Sequence, residues 1–445
     1  MQPGHQRRWA ALILLCTAQF LVILDTSIIG IALPAIQKAL SMTPSGLQWV
    51  FNAYVVAFGG LLLLGGRLAD LLGRRAVFMA GFATLTAGSL VAGIAGADTV
   101  LLAGRAVQGI GAALIAPAAL SLVMQLFTDP KELARAFGFW GGAAAAGGTA
   151  GVFLGGVITE WLSWRWTFLV NIPLGLIVLL AAPLVLPAGK RAAGKVDVVG
   201  AFTITLALVL GVFALVTGAE APGRMVGLLV IVAMLVMLFV VSQAKTKQPL
   251  IPLSIFRAPN LAAANGVMGL LGAAWIPMWF FLNLHLQEVL GYSALDSGLA
   301  LVPMTLLIMG LMMFATPRIV ARFGFPRVLV AGLVVLAVAT AAMALLPPDA
   351  SFVVHVLPVS LVAAIGMALA FIPANIAGMS GARPEAAGLA SGLVNTSYQV
   401  GSALGLAAMV GLSTATTSAA SAFVGAGVIA LGAAVLAARH IRAPG

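Results

Sequence analysis

Apolar residues run along the chain in blocks of roughly twenty, the length a helix needs to cross the hydrocarbon core of a bilayer, and short polar stretches separate them. Within the blocks there is no period-two alternation, so they read as spanning helices and not as barrel strands. Fourteen spans are placed near residues 9–34, 47–67, 76–96, 100–124, 135–158, 167–187, 198–217, 224–243, 262–287, 295–317, 326–346, 352–378, 387–412 and 416–438. No connection between them is long enough to fold as a soluble domain. The expected class is an all-α polytopic membrane protein.

Composition sharpens this. Of 445 residues 62% are hydrophobic and 8% charged, against about 25% charged in soluble domains. Lipid must be the solvent for most of the chain, and every backbone polar group must then be satisfied inside it. The net charge of +11 would suit a nucleic-acid partner, but its distribution argues otherwise. With the N-terminus in the cytoplasm, only Lys38, Arg165 and Arg224 fall in outer loops and Arg105 inside a span, which leaves 19 of the 23 basic residues on the inner side. That asymmetry is the positive-inside pattern. It predicts an even number of spans, both termini cytoplasmic, a multi-pass location in the cytoplasmic membrane and no nucleic-acid partner. Cys16 is the one cysteine, so no intrachain disulfide forms. The first apolar run is too long for a signal peptide and carries Asp25, so it is read as a retained span.

The longest inner connections, about 188–197 and 244–260, bracket two spans with almost no polar side chains. The reading is therefore a six-span unit over 1–187, a linker with two extra spans over 188–259, and a second six-span unit over 260–445. A weak internal echo supports two related halves. Gly66-Arg67-Leu68-Ala69-Asp70-Leu71-Leu72-Gly73-Arg74-Arg75 joins the second and third spans, and the matching place in the second half reads Arg318-Ile319-Val320-Ala321-Arg322-Phe323-Gly324-Phe325-Pro326-Arg327, keeping glycine and bases without the acid. Repeated halves around a central cavity are a common plan of secondary transporters.

Enzyme chemistry finds little support. Gly189-Lys190-Arg191-Ala192-Ala193-Gly194-Lys195-Val196 approaches a nucleotide-binding loop, but a valine stands where the hydroxyl residue belongs and no strand precedes it. The four histidines are dispersed without metal-ligand spacing. No catalytic group, metal or cofactor is expected. A membrane-embedded enzyme or receptor remains the rival from another class.

The informative residues are charges inside spans. At 1.5 Å per residue, Asp25 lies about 13 Å and Arg105 about 9 Å from the outer ends of helices that run in opposite directions, so the two share a depth. A lone charge there costs ~2.5–3.5 kcal/mol, which directs each toward protein or a wet cavity. Burial favours a neutral carboxyl group and a nearby cation favours a charged one, so Asp25 is positioned to exchange a proton while Arg105 serves as a fixed charge. The plain alternative is a static contact pinning the first and fourth spans.

Gly147, Gly151 and Gly155 recur every four residues on one face of the fifth span, with Gly156 beside them; such a stripe allows close helix packing and would also serve a hinge. Candidates for a substrate cavity are Asn52, Tyr54, Gln108, Trp275, Trp279, Asn375, Asn395 and Gln399, the last two on a polar face of the thirteenth span with Ser391 and Ser402. Asn283 and His285 are further candidates for it, although His285 and Glu288 lie near the outer surface and are expected to be exposed there.

At these positions the chain resembles the major facilitator superfamily, and within it the fourteen-span drug:proton antiporters. Four stretches carry the likeness: the loop Gly66–Arg75, residues 102–113 around Arg105, Leu24-Asp25-Thr26 through Ala32-Leu33-Pro34, and Trp164-Arg165-Trp166-Thr167-Phe168-Leu169-Val170-Asn171-Ile172-Pro173-Leu174-Gly175. The resemblance implies two six-helix bundles plus two additional helices. It implies an inner gate at Gly66, Asp70, Gly73, Arg74 and Arg75, and a role for Arg105 in proton coupling. One departure stands out: in the fifth span the family's Gly-Pro-x-x-Gly-Gly pattern has Val152 in place of the proline. The implied activity is export of hydrophobic compounds, cationic ones included, in exchange for protons by a monomer. Proton-coupled uptake of a polar nutrient is the alternative within transport, and it would need more converging polar groups than the spans show.

Overall fold

The computed structural model describes residues 5–188, 197–218, 221–246, 248–347, 349–380 and 387–442. The loop 189–196, Lys247 and Arg383 lie outside the described residues. The described residues fold into fourteen long helical elements. The first six are α1 (His5–Leu40), α2 (Pro44–Leu72), α3 (Arg74–Gly93), α4 (Asp98–Leu126), α5 (Pro130–Trp161) and α6 (Trp166–Val185), the last interrupted at Val170. Two more follow, α7 (Val198–Thr217) and α8 (Pro222–Lys245). The last six are α9 (Leu261–Val289), α10 (Ala294–Phe323), α11 (Phe325–Met343), α12 (Phe352–Met379), α13 (Ala387–Thr416) and α14 (Ala419–His440).

Thirteen of these are long and apolar enough to cross a membrane. The other, α13, has length to spare at 30 residues, but its asparagine, glutamine and serines make it more polar. It sits among spanning helices, packed on α9 and α2, with Ser391, Gln399 and Ser402 at least partly buried and Asn395 exposed. Helices are the form such a sequence must take, because a spanning backbone has no water to bond. Proline starts α2 and α8 at the first turn, where its missing N–H is not needed.

α1 to α6 pack on one another, as do α9 to α14. Matching glycines turn the chain in each half: Gly73 between α2 and α3 has φ 98° and Gly324 between α10 and α11 has φ 80°. Side chains rarely adopt this backbone region, which explains why glycine persists in both copies of the echo. The extra pair behaves unequally. α7 wedges between the halves, with Thr205 donating to the Gly60 carbonyl of α2 at 3.1 Å and Gly211 facing Leu404 of α13. α8 packs mainly on α7 and is almost wholly exposed among the described residues, as expected of a helix whose solvent is lipid.

We call the end that carries Arg7, Arg67, Arg74 and Arg75 the basic end, and its opposite the far end. At the far end the halves are joined. α5 meets α10, where the Gly298 backbone approaches the Val152 carbonyl and Gly156 meets the Ala294 carbonyl, both too closely for a side chain at either glycine. α1 meets α9 there as well. Toward the basic end α4 and α12 are not packed together, and at Gly142 of α5 only the tip of Met313 comes near. α2 and α13 also hold the halves together, with Gly59 against Gln399 at mid-depth and Leu63 against Gly392 nearer the basic end. This conformation is closed at the far end and loosened at the basic end.

Candidate functional site: a buried carboxylate centre and a far-end latch

Asp25 of α1 and Arg105 of α4 form an ion pair, Arg105 Nη1 to Asp25 Oδ2, 2.6 Å long, with neither side chain reaching the surface. Arg105 Nη1 also donates to Gln108 Oε1 at 2.9 Å, and Nε donates to the Val50 carbonyl of α2 at 2.8 Å. The other carboxylate oxygen, Oδ1, accepts from Gln108 Nε2 at 3.0 Å and from Asn171 Nδ2 of α6 at 2.8 Å. Gln108 Nε2 further donates to Ser89 Oγ of α3 at 2.7 Å. The Arg105 guanidinium lies 4.5 Å from the Tyr54 ring centroid and 5.9 Å from that of Phe168, contacts that favour a desolvated cation.

Five of the first six helices thus supply a hydrogen-bonding group to one centre. The remaining one, α5, backs it. A Cβ at Gly147, Gly151 or Gly155 would collide with α1 at Phe20, at Leu24 and Ser27, or at Ile28, so the glycine stripe presses α5 onto the segment of α1 that carries Asp25. Gly156, one residue on, faces α10 of the other half. The helix passes Val152 as one element.

The centre is charge-neutral yet not saturated. Among the described residues Arg105 Nη2, Asn171 Oδ1, Tyr54 Oη and both amide atoms of Gln48 and of Asn52 are buried without a hydrogen-bond partner. Buried polar atoms left unpaired cost about 1–3 kcal/mol each, so this region holds capacity for water or for rearranged protein contacts. Both oxygens of Asp25 are engaged, by three donors in all.

The remaining sequence candidates scatter. Asn375 bonds to its own helix at the Phe371 carbonyl, 2.9 Å. Gln399 lies against Gly59 of α2, and Asn395 is exposed. Trp275 and Trp279 stack obliquely with centroids 6.2 Å apart, but Trp279 stands beside Gly30 of α1, at the junction of the halves. His285 is buried, against expectation, because the α9 helix turns it inward; Glu288 is exposed. Asn283 is buried at this junction. Its amide donates to the Gly30 carbonyl, while its oxygen accepts from Ser297 at 3.0 Å and from Gln287 at 2.9 Å, and Gln287 also donates to the Ile31 carbonyl at 3.1 Å. These side chains of the second half grip the backbone of the first, five residues along α1 from Asp25.

In the loop from α2 to α3, Arg74 bonds to the Ser121 carbonyl and to Gln125 Oε1 of α4, both at 3.2 Å. Arg75 bonds to the Leu186 carbonyl after α6 at 3.2 Å. Both contacts stay within the first half. Asp70 is exposed and makes no ion pair among the described residues, and Gly66 touches only Pro117. Arg67 reaches further, to Gln248 Oε1 after α8 at 2.9 Å.

Ser89 and Asn171 are the members of this network that sequence reasoning did not single out. Asn171 gave a signal, a buried amide just inside a span entry; a lone serine in α3 gave none. The arrangement as a whole is that of a membrane transporter: two packed halves, one buried charge centre, and a junction that closes one end.

Comparison with known proteins places it further. The model of the Major Facilitator Superfamily matches residues 15–406. The cephamycin export protein CmcT of Amycolatopsis lactamdurans is 39% identical, covering 96% of this chain and 91% of that protein. The puromycin resistance protein pur8 of Streptomyces alboniger is 36% identical over 94% of this chain and 84% of its own length. Among solved structures, the POT family transporter PepTSo superposes with a TM-score of 0.74 at 16% identity, covering 97% of each chain, a likeness of fold. The chain belongs to the Major Facilitator Superfamily. It is a multi-pass membrane transporter acting on small molecules.

Proposed function

We propose that the protein exports hydrophobic small molecules, antibiotic-like metabolites in particular, in exchange for protons. The names of the relatives, an export protein for cephamycin and a resistance protein for puromycin, support the direction and the substrate class. Protons are the coupling ion, no other cofactor takes part, and one chain is the working unit. The basic end is cytoplasmic by the positive-inside pattern, so the conformation described above faces inward.

The observation that carries the coupling is the carboxylate of Asp25, sealed from solvent and held by Arg105, Gln108 and Asn171. When a proton reaches Asp25, the carboxyl group no longer balances Arg105, and Arg105 stays held by the Val50 carbonyl of α2 and by Gln108 of its own helix. α1 is then released from α4 and α6, and because the latch holds α1 at Gly30 and Ile31, that release is transmitted to the far end. Residues 1–187 and 260–445 serve as the two bodies that rock, and the loop 66–75 closes the basic end when the far end opens. One pH unit supplies ~1.36 kcal/mol per proton and 100 mV ~2.3 kcal/mol per charge, together sustaining a concentration ratio on the order of several hundred for a neutral substrate.

The test is puromycin efflux from proteoliposomes under an imposed pH gradient. Efflux that collapses with the gradient, and that Asp25→Asn abolishes, is the expected result. Efflux by the variant at the wild-type rate overturns the assignment of Asp25.

A further inference from the structure

Away from the centre, α5 and α6 pack together only around Trp166–Leu169 and then diverge, leaving one face of α1 uncovered toward the basic end. A crevice of 650 Å³ lies there, with α1 as its floor and Ile13, Cys16, Phe20, Phe139, Ala143 and Leu174 among its walls. Its interior offers no polar handle: the Thr17 hydroxyl is turned back to the Ile13 carbonyl at 3.0 Å. Ile13 and Phe139 are more than half exposed at a depth where lipid is the solvent. The volume suits a bound molecule, but a drug-like ligand generally needs converging polar groups to orient it.

The mouth differs in character. Arg135, one turn before Phe139, places its guanidinium 5.1 Å from the Trp9 ring centroid and 5.9 Å from that of Phe139. Arg135 is exposed and has no acidic partner among the described residues, while Glu132 on the same helix is held by Arg8 at 3.0 Å. A tryptophan and an arginine without an acidic partner among the described residues, both at a span boundary, mark the headgroup level. The charge and the crevice together fit one occupant.

We propose that this crevice binds an anionic phospholipid from the leaflet at the basic end, its phosphate on Arg135 and one acyl chain lying on α1 between α5 and α6. The inner end of the crevice, at Leu21 and Leu174, is one helical turn from Asp25 and Asn171, whose hydrogen bond joins α1 to α6. The chain therefore props the same helix pair that holds the carboxylate.

Native mass spectrometry of the full chain, offered phosphatidylglycerol and phosphatidylcholine in equal amounts, tests this. Wild type retains phosphatidylglycerol about fivefold over phosphatidylcholine, the preference that one basic residue confers at an anionic lipid surface. Arg135→Gln removes the preference, and Ala143→Trp, which fills the crevice, removes retention of both. Ile13→Trp, at an exposed wall position that tolerates bulk, repeats the filling experiment should Ala143→Trp fail to fold. Equal retention of the two lipids by wild type, undiminished retention by the filled variants, or displacement of the lipid by stoichiometric puromycin would each overturn the proposal.

Discussion

Asn171 donates to Asp25 Oδ1 at 2.8 Å across 146 residues of chain, and with Gln108 it occupies the carboxylate oxygen that Arg105 leaves free. This relationship ties α6 to α1 at the depth of the ion pair. It makes the buried charge centre a property of five helices of the first half instead of a contact between two.

Replacing Asn171 by leucine removes one donor to a charged acceptor, a bond worth about 1.5–3 kcal/mol. Asn171→Leu is expected to lower the melting temperature in detergent and to slow proton-driven efflux while leaving Arg105 paired with Asp25. A scanning fluorescence melt alongside the efflux assay measures both.

Breaking a buried pair by removing one partner costs about 3–5 kcal/mol because the other charge is left uncompensated. Asp25→Asn and Arg105→Gln should each destabilise the protein on that scale. The double variant should be more stable than the sum of the two losses predicts, and denaturation of all three variants against wild type gives the coupling energy.

Asn283→Leu deletes the grip on Gly30 and leaves Gln287 alone on α1. The population should shift toward conformations open at the far end. Spin-label distances between the far ends of α1 and α9, in a Cys16→Ser background, should lengthen and broaden relative to wild type.

The glycine stripe allows a steric test. A side chain at Gly151 meets Ser27 Cβ at 2.7 Å and the Leu24 carbonyl at 2.9 Å, and overpacking of this kind costs about 1–3 kcal/mol. Gly151→Val should push α5 from α1 and lower thermal stability, whereas Gly141→Val, where nothing stands within 4 Å, should not.

Much of this was legible in the chain. Apolar blocks gave the helices because lipid leaves the backbone no other option, and helix rise alone brought Asp25 and Arg105 to one depth. The polar face of α13 was visible, but not that it would leave this helix outside the thirteen apolar enough to cross a membrane. Ser89 and the Val50 carbonyl were illegible, since partners in a three-dimensional network need no spacing in sequence and a backbone oxygen has no letter. Asn283 stayed open between a cavity and an interhelical contact, and His285 was expected to be exposed, for a related reason: a polar residue near the end of a span looks the same whether it meets a cavity, solvent or a neighbouring backbone. Arg74 and Arg75 show a further limit. Their resemblance-based place in an inner gate concerns a closed basic end, and here that end is loosened and each bonds within its own half.

Asp70 turns that limit into a measurement. It is exposed here and makes no ion pair among the described residues, so Asp70→Asn should leave the melting temperature unchanged. If Asp70 acts when the basic end closes, the same variant should still slow efflux.

The central claim is that the Asp25 carboxyl group is the one that trades its proton against substrate. Addition of puromycin to purified protein in weakly buffered detergent solution should release protons in proportion to the substrate bound, and Asp25→Asn should bind puromycin with no release. Equal proton release from the variant and from wild type would contradict the account.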